Sequence, residues 1–307
     1  MKKFLMRLFL FLIPFFFIAL FVIFIDPYNY FLGHNFVPDI AKIQVINRSA
    51  ESMPRGNTLW KMIDFKRYPS RNILIGDSRA FDLNVDTIKR ISNIDFYNFG
   101  VPGGNYKSII ETFWYTTSII KPERVYIQVG FHNYSESSKY NLMEDAKKVC
   151  RKPYFFFSRF YFFRESFLDI YYALKGISTK RNEDISDPKS WTKILKNQGD
   201  NALVSMIYPA SYYRELQRIS AYCKVNNIEL VFIIFPDQQD FHNLIAEHGL
   251  GGLYTKYKED IYSLGKVYDF DDTSSDIIKK RSNYRDIFHL NHDIIYDTII
   301  RRIWGNN

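Results

Sequence analysis

Hydrophobic and polar positions divide the chain into three regimes. From Leu8 to Ile25 there is no charge, and Lys2, Lys3 and Arg7 stand before this run. At about 1.5 Å per residue the stretch from Phe4 to Ile25 gives ~33 Å as a helix, enough to cross a hydrocarbon core of roughly 30 Å. A membrane span over residues 1–25 is therefore predicted. No small-x-small cleavage site follows Ile25, where Asp26-Pro27-Tyr28-Asn29-Tyr30 is bulky and turn-forming, so the helix reads as an uncleaved anchor. Positive charges before the span place the remainder outside the cytoplasm, and Tyr28 and Tyr30 suit an aromatic belt there. Residues 26–70, with Gly33, Pro38, Pro54, Gly56 and Pro69, hold no sustained period and read as a stalk and lead-in.

Beyond residue 70 short β-rich runs alternate with amphipathic helical stretches. Strands are predicted at Asn72–Ile75, Ile94–Asn98, Val125–Val129, Ile228–Phe235 and Lys266–Phe270, and helices at Asp86–Ile91, Tyr106–Ile119 and Ser211–Asn226. This is the pattern of an α/β domain whose central parallel sheet, of about five strands, is covered on both faces. Residues 71–307 are long enough for one such domain, burying roughly 70% of its unfolded surface. A parallel sheet collects its site at the carboxyl ends of the strands.

Composition changes the picture in one place. Residues 147–200 interrupt the alternation as a helical insertion, and between Lys147 and Lys196 twelve Lys/Arg face five acids, nearly the whole of the chain's net +8. Tyr154-Phe155-Phe156-Phe157 and Phe160-Tyr161-Phe162-Phe163 interleave with these charges, which excludes a second span. Two readings fit: a cap whose aromatics pack on the domain, or a surface for anionic lipid, an acidic glycan or a membrane partner. Nucleic acid is excluded outside the cytoplasm. Cys150 and Cys223 are permitted a disulfide there, but no spacing demands one. Without a CxxC pair or a histidine repeat, no metal and no cofactor is expected.

The candidate chemistry begins at Asn72–Arg79, NILIGDSR, where an apolar run breaks at Gly76 and delivers Asp77 and Ser78 to a helix start. A serine hydroxyl on such a turn is held clear of the sheet, near unpaired backbone N–H groups. Alone, Gly-Asp-Ser is more often a turn whose polar residues cap the next helix. Far downstream, Asp286-Ile287-Phe288-His289 supplies a base and a carboxylate to orient it. His292 is the decoy beside His289. Asn98-Phe99-Gly100, with Gly103 and Gly104, offers a flexible loop that brings a backbone N–H close to a substrate oxygen. The third strand runs into Gly130-Phe131-His132-Asn133. Asp237, His242 and His248 follow a strand end and are further cleft candidates.

The ordered set GDS, NxG, GxHN and DxxH resembles the SGNH (GDSL-type) hydrolase superfamily, over roughly Asn72 to the C-terminus. The resemblance implies a flavodoxin-like three-layer α/β/α fold. It implies Ser78 as nucleophile, His289 as general base, Asp286 as its orienting acid, and the N–H groups of Ser78 and Gly100 as oxyanion donors. Where that family has Gly-x-Asn-Asp, this chain has Gly130-Phe131-His132-Asn133. Asn133 is the favoured amide donor, although His132 occupies the expected position and is able to donate from its ring; Asp77 is a turn or hydrogen-bonding residue at the cleft. An N-terminal anchor before such a domain also resembles proteins that work beside membrane-bound O-acyltransferases in envelope polysaccharide acetylation, such as that of alginate, and the teichoic acid D-alanylation protein. That likeness implies a membrane-anchored, extracytoplasmic (periplasmic or cell-surface) serine esterase or O-acyltransferase, acting on ester-linked acyl groups of an envelope glycan with a membrane-bound acyltransferase as partner. The competing reading is a non-catalytic module that keeps the fold to bind glycan or scaffold an acylation complex.

Overall fold

The computed structural model describes residues 1–33, 36–48, 55–137, 140–176 and 188–305. In chain order the elements are α1 (Lys2–Ile25), α2 (Asp39–Arg48), α3 (Arg55–Arg67), β1 (Asn72–Gly76), α4 (Ser78–Phe81), α5 (Val85–Ser92), β2 (Tyr97–Gly100), α6 (Tyr106–Ile119), β3 (Arg124–Val129), α7 (Leu142–Arg151), α8 (Phe155–Ser158), α9 (Phe160–Lys175) and α10 (Pro188–Ile194). They continue with α11 (Asn201–Val204), α12 (Ala210–Val225), β4 (Glu229–Ile234), α13 (Gln239–Glu247), α14 (Gly251–Tyr262), β5 (Lys266–Asp269), α15 (Asp276–Lys279), α16 (His292–Ile295) and α17 (Arg301–Trp304). The chain separates into two compact units, Met1–Tyr68 with Leu142–Arg181, and Pro69–Asn141 with Asn182–Asn307.

The second unit is the α/β body. Its five strands are all parallel, in the order β2-β1-β3-β4-β5, which is the flavodoxin-like arrangement expected from the sequence. Ile73, Leu74 and Ile75 of β1, Val125 and Ile127 of β3 and Val231 to Ile234 of β4 are buried, because a sheet covered on both faces leaves no side of a central strand to water. Helices α6 and α12 pack on each other and on the sheet. On the opposite face, as right-handed crossovers require, α5 meets α17, and Trp304 stacks against Tyr126 at 5.5 Å. The observed β2 starts at Tyr97 rather than Ile94. Asn93 closes α5 in the left-handed conformation, φ 57°, and the next residues turn the chain into the sheet.

The first unit is helical. Helix α1 is long and apolar enough to cross a membrane, with only a ninth of its most apolar stretch buried. Residues 26–70 are not a featureless stalk, since they carry α2 and α3, and α3 packs on α7. Asp26 organises the turn after α1 by accepting from the backbone N–H groups of Tyr30, Phe31, Leu32 and Gly33. Tyr28 is buried against Phe156 and Phe162, and Tyr30 donates to the Cys150 carbonyl, so neither serves as a lipid-facing belt. The insertion's aromatics through Tyr172 belong to this unit, where Phe156 packs on Tyr28 and Tyr30, and Phe163 and Phe167 on Phe21. Both cysteines are free thiols, Cys150 half-buried and Cys223 buried.

Candidate active site

Strand β1 ends at Gly76, and the chain turns at once into α4. Asp77 caps that helix by accepting from the Arg79 N–H at 2.8 Å, which leaves Ser78 as its first residue. The turn is tight because β1 and its neighbours crowd it: a Cβ on Gly76 would lie 2.6 Å from both the Ala80 Cβ and the Gln128 Oε1. The Ser78 N–H has no hydrogen-bond partner among the described residues, as expected at a helix start.

The loop after α15 carries His289, the candidate base. Tyr284 and Leu290 form an antiparallel bridge, and the Arg285 N–H donates to the His289 carbonyl at 2.7 Å, closing a short loop. Within it Asp286 accepts from the backbone N–H groups of Phe288 and His289 and holds the His289 Nδ1 at 2.8 Å from both carboxylate oxygens. With Nδ1 donating to Asp286, the Nε2 lone pair faces the Ser78 Oγ, 2.6 Å away. Three residues read from the sequence as nucleophile, base and orienting acid thus form one hydrogen-bonded chain across 211 positions. Burial alone would push the His289 imidazolium toward deprotonation, but the hydrogen bond and charge of Asp286 outweigh it and raise its pKa above the usual 6.5. Burial works against the Asp286 carboxylate too, yet its bonds to His289 hold it below the usual carboxylate range.

Behind the serine lies a buried ionic network. Arg79 points into the interior and bridges Asp77, at 3.3 Å, and Asp237, at 3.0 Å. Gly130 makes room for it, since a Cβ there would fall 1.6 Å from a guanidinium nitrogen. Burial would raise the Asp77 pKa, but Arg79 and then His132 bring it down to about 2. Asp237, buried and sharing the same guanidinium, is pushed up. Gln128 accepts from the Asp77 N–H at 2.9 Å.

The expected oxyanion donors are arranged differently from their sequence roles. The Gly100 N–H donates to the Asn98 Oδ1 at 2.7 Å, and Gly100 itself is pressed under α4, where a Cβ would meet the Phe81 nitrogen at 2.3 Å. Asn133 spends its two amide hydrogens on Asp77, at 2.9 Å, and on the Gly104 carbonyl, at 3.1 Å. His132 stacks on Phe288 with ring centroids 4.1 Å apart, and its Nδ1 is buried without a partner among the described residues. Burial and then Arg79 lower its pKa to about 3, so the ring is neutral. Sequence reasoning missed Arg79 and Gln128, although a polar residue inside the apolar VYIQV strand was a legible signal. The sequence named Gly103 only as part of a flexible loop. Gly103 adopts φ +70°, its N–H is unpartnered among the described residues, and the adjoining Gly104 lies close against the Asp77 backbone.

Of the further cleft candidates, Asp237 is buried on Arg79, His242 is buried and bonded to Asp271 at 2.9 Å, and His248 pairs with Asp200 at 2.6 Å. None of them reaches the Ser78 to Asp286 chain by a hydrogen bond. An open cleft of about 640 Å³ is lined by Asp82, Asn84, Arg90, His292, Tyr296 and Asp297 among others, and Ser78, Asp286 and His289 are not in its lining. The two segments that carry Ser78 and His289 contribute to its lining a few residues further on: Asp82 follows Ser78, His292 follows His289, and Arg285 is paired with Asp82. A turn of wider π-type helix, Tyr296–Ile300, forms part of the wall. Among the described residues no group of three or more His, Cys, Asp or Glu is arranged to hold a metal ion.

A solved structure from Streptococcus pneumonia, provisionally described as a platelet activating factor, is similar over 87% of this chain and 100% of that chain, at 11% identity and a TM-score of 0.40. No protein-family model and no curated protein sequence matches the chain.

Proposed function

We propose that this chain is a membrane-anchored, extracytoplasmic SGNH-type serine esterase or O-acyltransferase that acts on ester-linked acyl groups, acetyl foremost, of a cell-envelope polysaccharide. The observation that carries the reading is the Ser78–His289–Asp286 relay, with 2.6 Å between nucleophile and base and 2.8 Å between base and acid. His289 takes the Ser78 proton as Oγ attacks the acyl carbonyl. The tetrahedral oxyanion is met by the N–H groups of Ser78 and Gly103, and neutral His132 is the side chain beside the pocket with hydrogen-bonding capacity unspent. Protonated His289 then gives its proton to the departing sugar oxygen, leaving an acyl-serine and a free hydroxyl. Water as the second nucleophile completes hydrolysis; in transfer, Ser78 instead takes the acyl group from a donor supplied by a membrane-bound acyltransferase partner, His289 protonates that donor's leaving group, and a sugar hydroxyl, deprotonated by His289, takes the acyl group from Ser78.

The open cleft supports a glycan over a plain fatty ester. Carboxylates, an amide, an arginine and a partly exposed tyrosine suit hydroxyl groups and a sugar face, and the volume is in the range of sites that enclose small ligands. The non-catalytic reading draws on the engagement of Gly100 N–H and the Asn133 amide elsewhere.

The two are separated by acetate release from an aryl ester by the full chain in detergent, with and without oligosaccharide acceptors, beside Ser78→Ala and His289→Ala. Turnover that falls by roughly 10⁴-fold or more in both variants supports the enzyme, and acetylated acceptor selects the transferase. A folded parent no faster than Ser78→Ala, with or without a membrane fraction supplying donor, sinks the catalytic reading.

A further inference from the structure

Helix α9 is inside out for a helix in water. Its buried residues are Phe162, Glu165, Ser166 and Asp169, so the face turned to the protein interior carries two acids. Its exposed face carries Phe160 at 75% exposure, Phe167 at 52%, Tyr171 at 47% and Leu174 at 84%, spaced by seven, four and three residues along one side. A soluble helix places its charges outward and its phenylalanines inward; the reverse is stable where the outside is apolar.

The same unit shows what that outside is. The Phe21 ring of α1 packs on Phe163 at 5.7 Å and on Phe167 at 4.6 Å, and Phe24 packs on Phe36 at 4.9 Å. At about 1.5 Å per residue Phe21 lies only ~6 Å before the end of α1 at Ile25, the depth at which acyl chains give way to headgroups. The exposed apolar surface of α1 therefore runs without a break onto α9 and onto Leu32, Phe36 and Ile40, each more than half exposed. Cations bracket this face: Arg159 lies over the Phe155 ring at one end of α9, and Lys175 over Tyr171 at the other.

We propose that α9, with Leu32, Phe36 and Ile40, is a monotopic platform seated in the interfacial zone of the leaflet at the C-terminal end of α1, its aromatic face against acyl chains and Arg159 and Lys175 against anionic headgroups. This rests on reading α1 as a membrane span. Interfacial helices of this kind sink about 5–10 Å into the headgroup and acyl boundary.

The test uses the full chain in vesicles of phosphatidylcholine and phosphatidylglycerol, in a Cys150→Ser, Cys223→Ser background. A polarity-sensitive dye is attached in turn to Phe167→Cys, Leu174→Cys and Phe16→Cys, and shallow or deep nitroxide lipids are the quenchers. The platform predicts blue-shifted emission at Phe167 and Leu174, mostly lost with the shallow quencher and little affected by aqueous iodide. Iodide quenching without lipid quenching at these two sites, while Phe16 is quenched by the deep lipid, overturns the platform and leaves the anchor standing. An unquenched Phe16 removes the anchor and the platform together. A blue shift that ignores nitroxide lipid and grows with protein density assigns the face to a second copy of the chain and overturns the proposal.

Discussion

Asp286 meets His289 with both carboxylate oxygens and also accepts from two backbone N–H groups of the same loop. A side-chain amide in its place would turn a donor toward Nδ1 and favour the wrong tautomer, so Asp286→Asn is expected to lower kcat by about 10³–10⁴-fold while the serine and its turn stay in place. The pH profile follows from the same pair. His289 must be neutral to accept a proton and its pKa is raised, so kcat/KM should climb with pH through a value above 6.5, and the limb should move to lower pH in Asp286→Asn. The stability linkage has the opposite sense: protonated His289 stabilises the fold fully below about 6.5, and that contribution is lost as pH rises through its folded pKa. Asn133 is engaged by Asp77 and Gly104, and Asn133→Ala strands the buried Gly104 carbonyl and removes one of the donors to Asp77, which keeps Arg79. A loss of about 1–3 kcal/mol in a denaturant titration is expected.

At the scale of elements, the turn that presents Ser78 depends on a strand that only touches it. Gly100 of β2 lies under α4, and its missing Cβ is what lets the Ala80–Phe81 backbone approach. Gly100→Ala should lower stability by about 1–3 kcal/mol through overpacking, and should reduce kcat with it because α4 must shift. Circular dichroism melting beside turnover checks both. Strands β1, β3 and β4 were legible because each is a short, largely buried run rich in Ile and Val between turn residues, and Tyr106–Ile119 was legible to the residue. Donor assignments were less so. Whether the Gly100 or the Gly103 N–H faces outward depends on where Asn98 folds back, a tertiary fact that no local pattern carries. Helices α2 and α3 escaped notice because their faces are only weakly segregated and their order comes from packing.

On the scale of the molecule, one buried guanidinium holds the floor of the site. Arg79 is paired with acids from two different strand ends, Asp77 after β1 and Asp237 after β4. Arg79→Met would leave two interior carboxylates without a counter-charge, and about 3–5 kcal/mol of stability should be lost, read from urea unfolding of the detergent-solubilised protein. The sequence suggested one body after a stalk, whereas the chain forms two units, because the helices before residue 69 and those after residue 141 pack on each other. That division has a consequence in time. Helix α1 is synthesised first, but α9, which covers its last turns, begins about 135 residues later. At about 5–20 residues per second the ribosome takes roughly seven to twenty-seven seconds to reach it. On the proposed reading of α1 as a membrane span, Phe21, Val22 and Ile25 have only the bilayer for company over that interval, so insertion of α1 would come before the helical unit is assembled, and the membrane would act as the first chaperone of the chain.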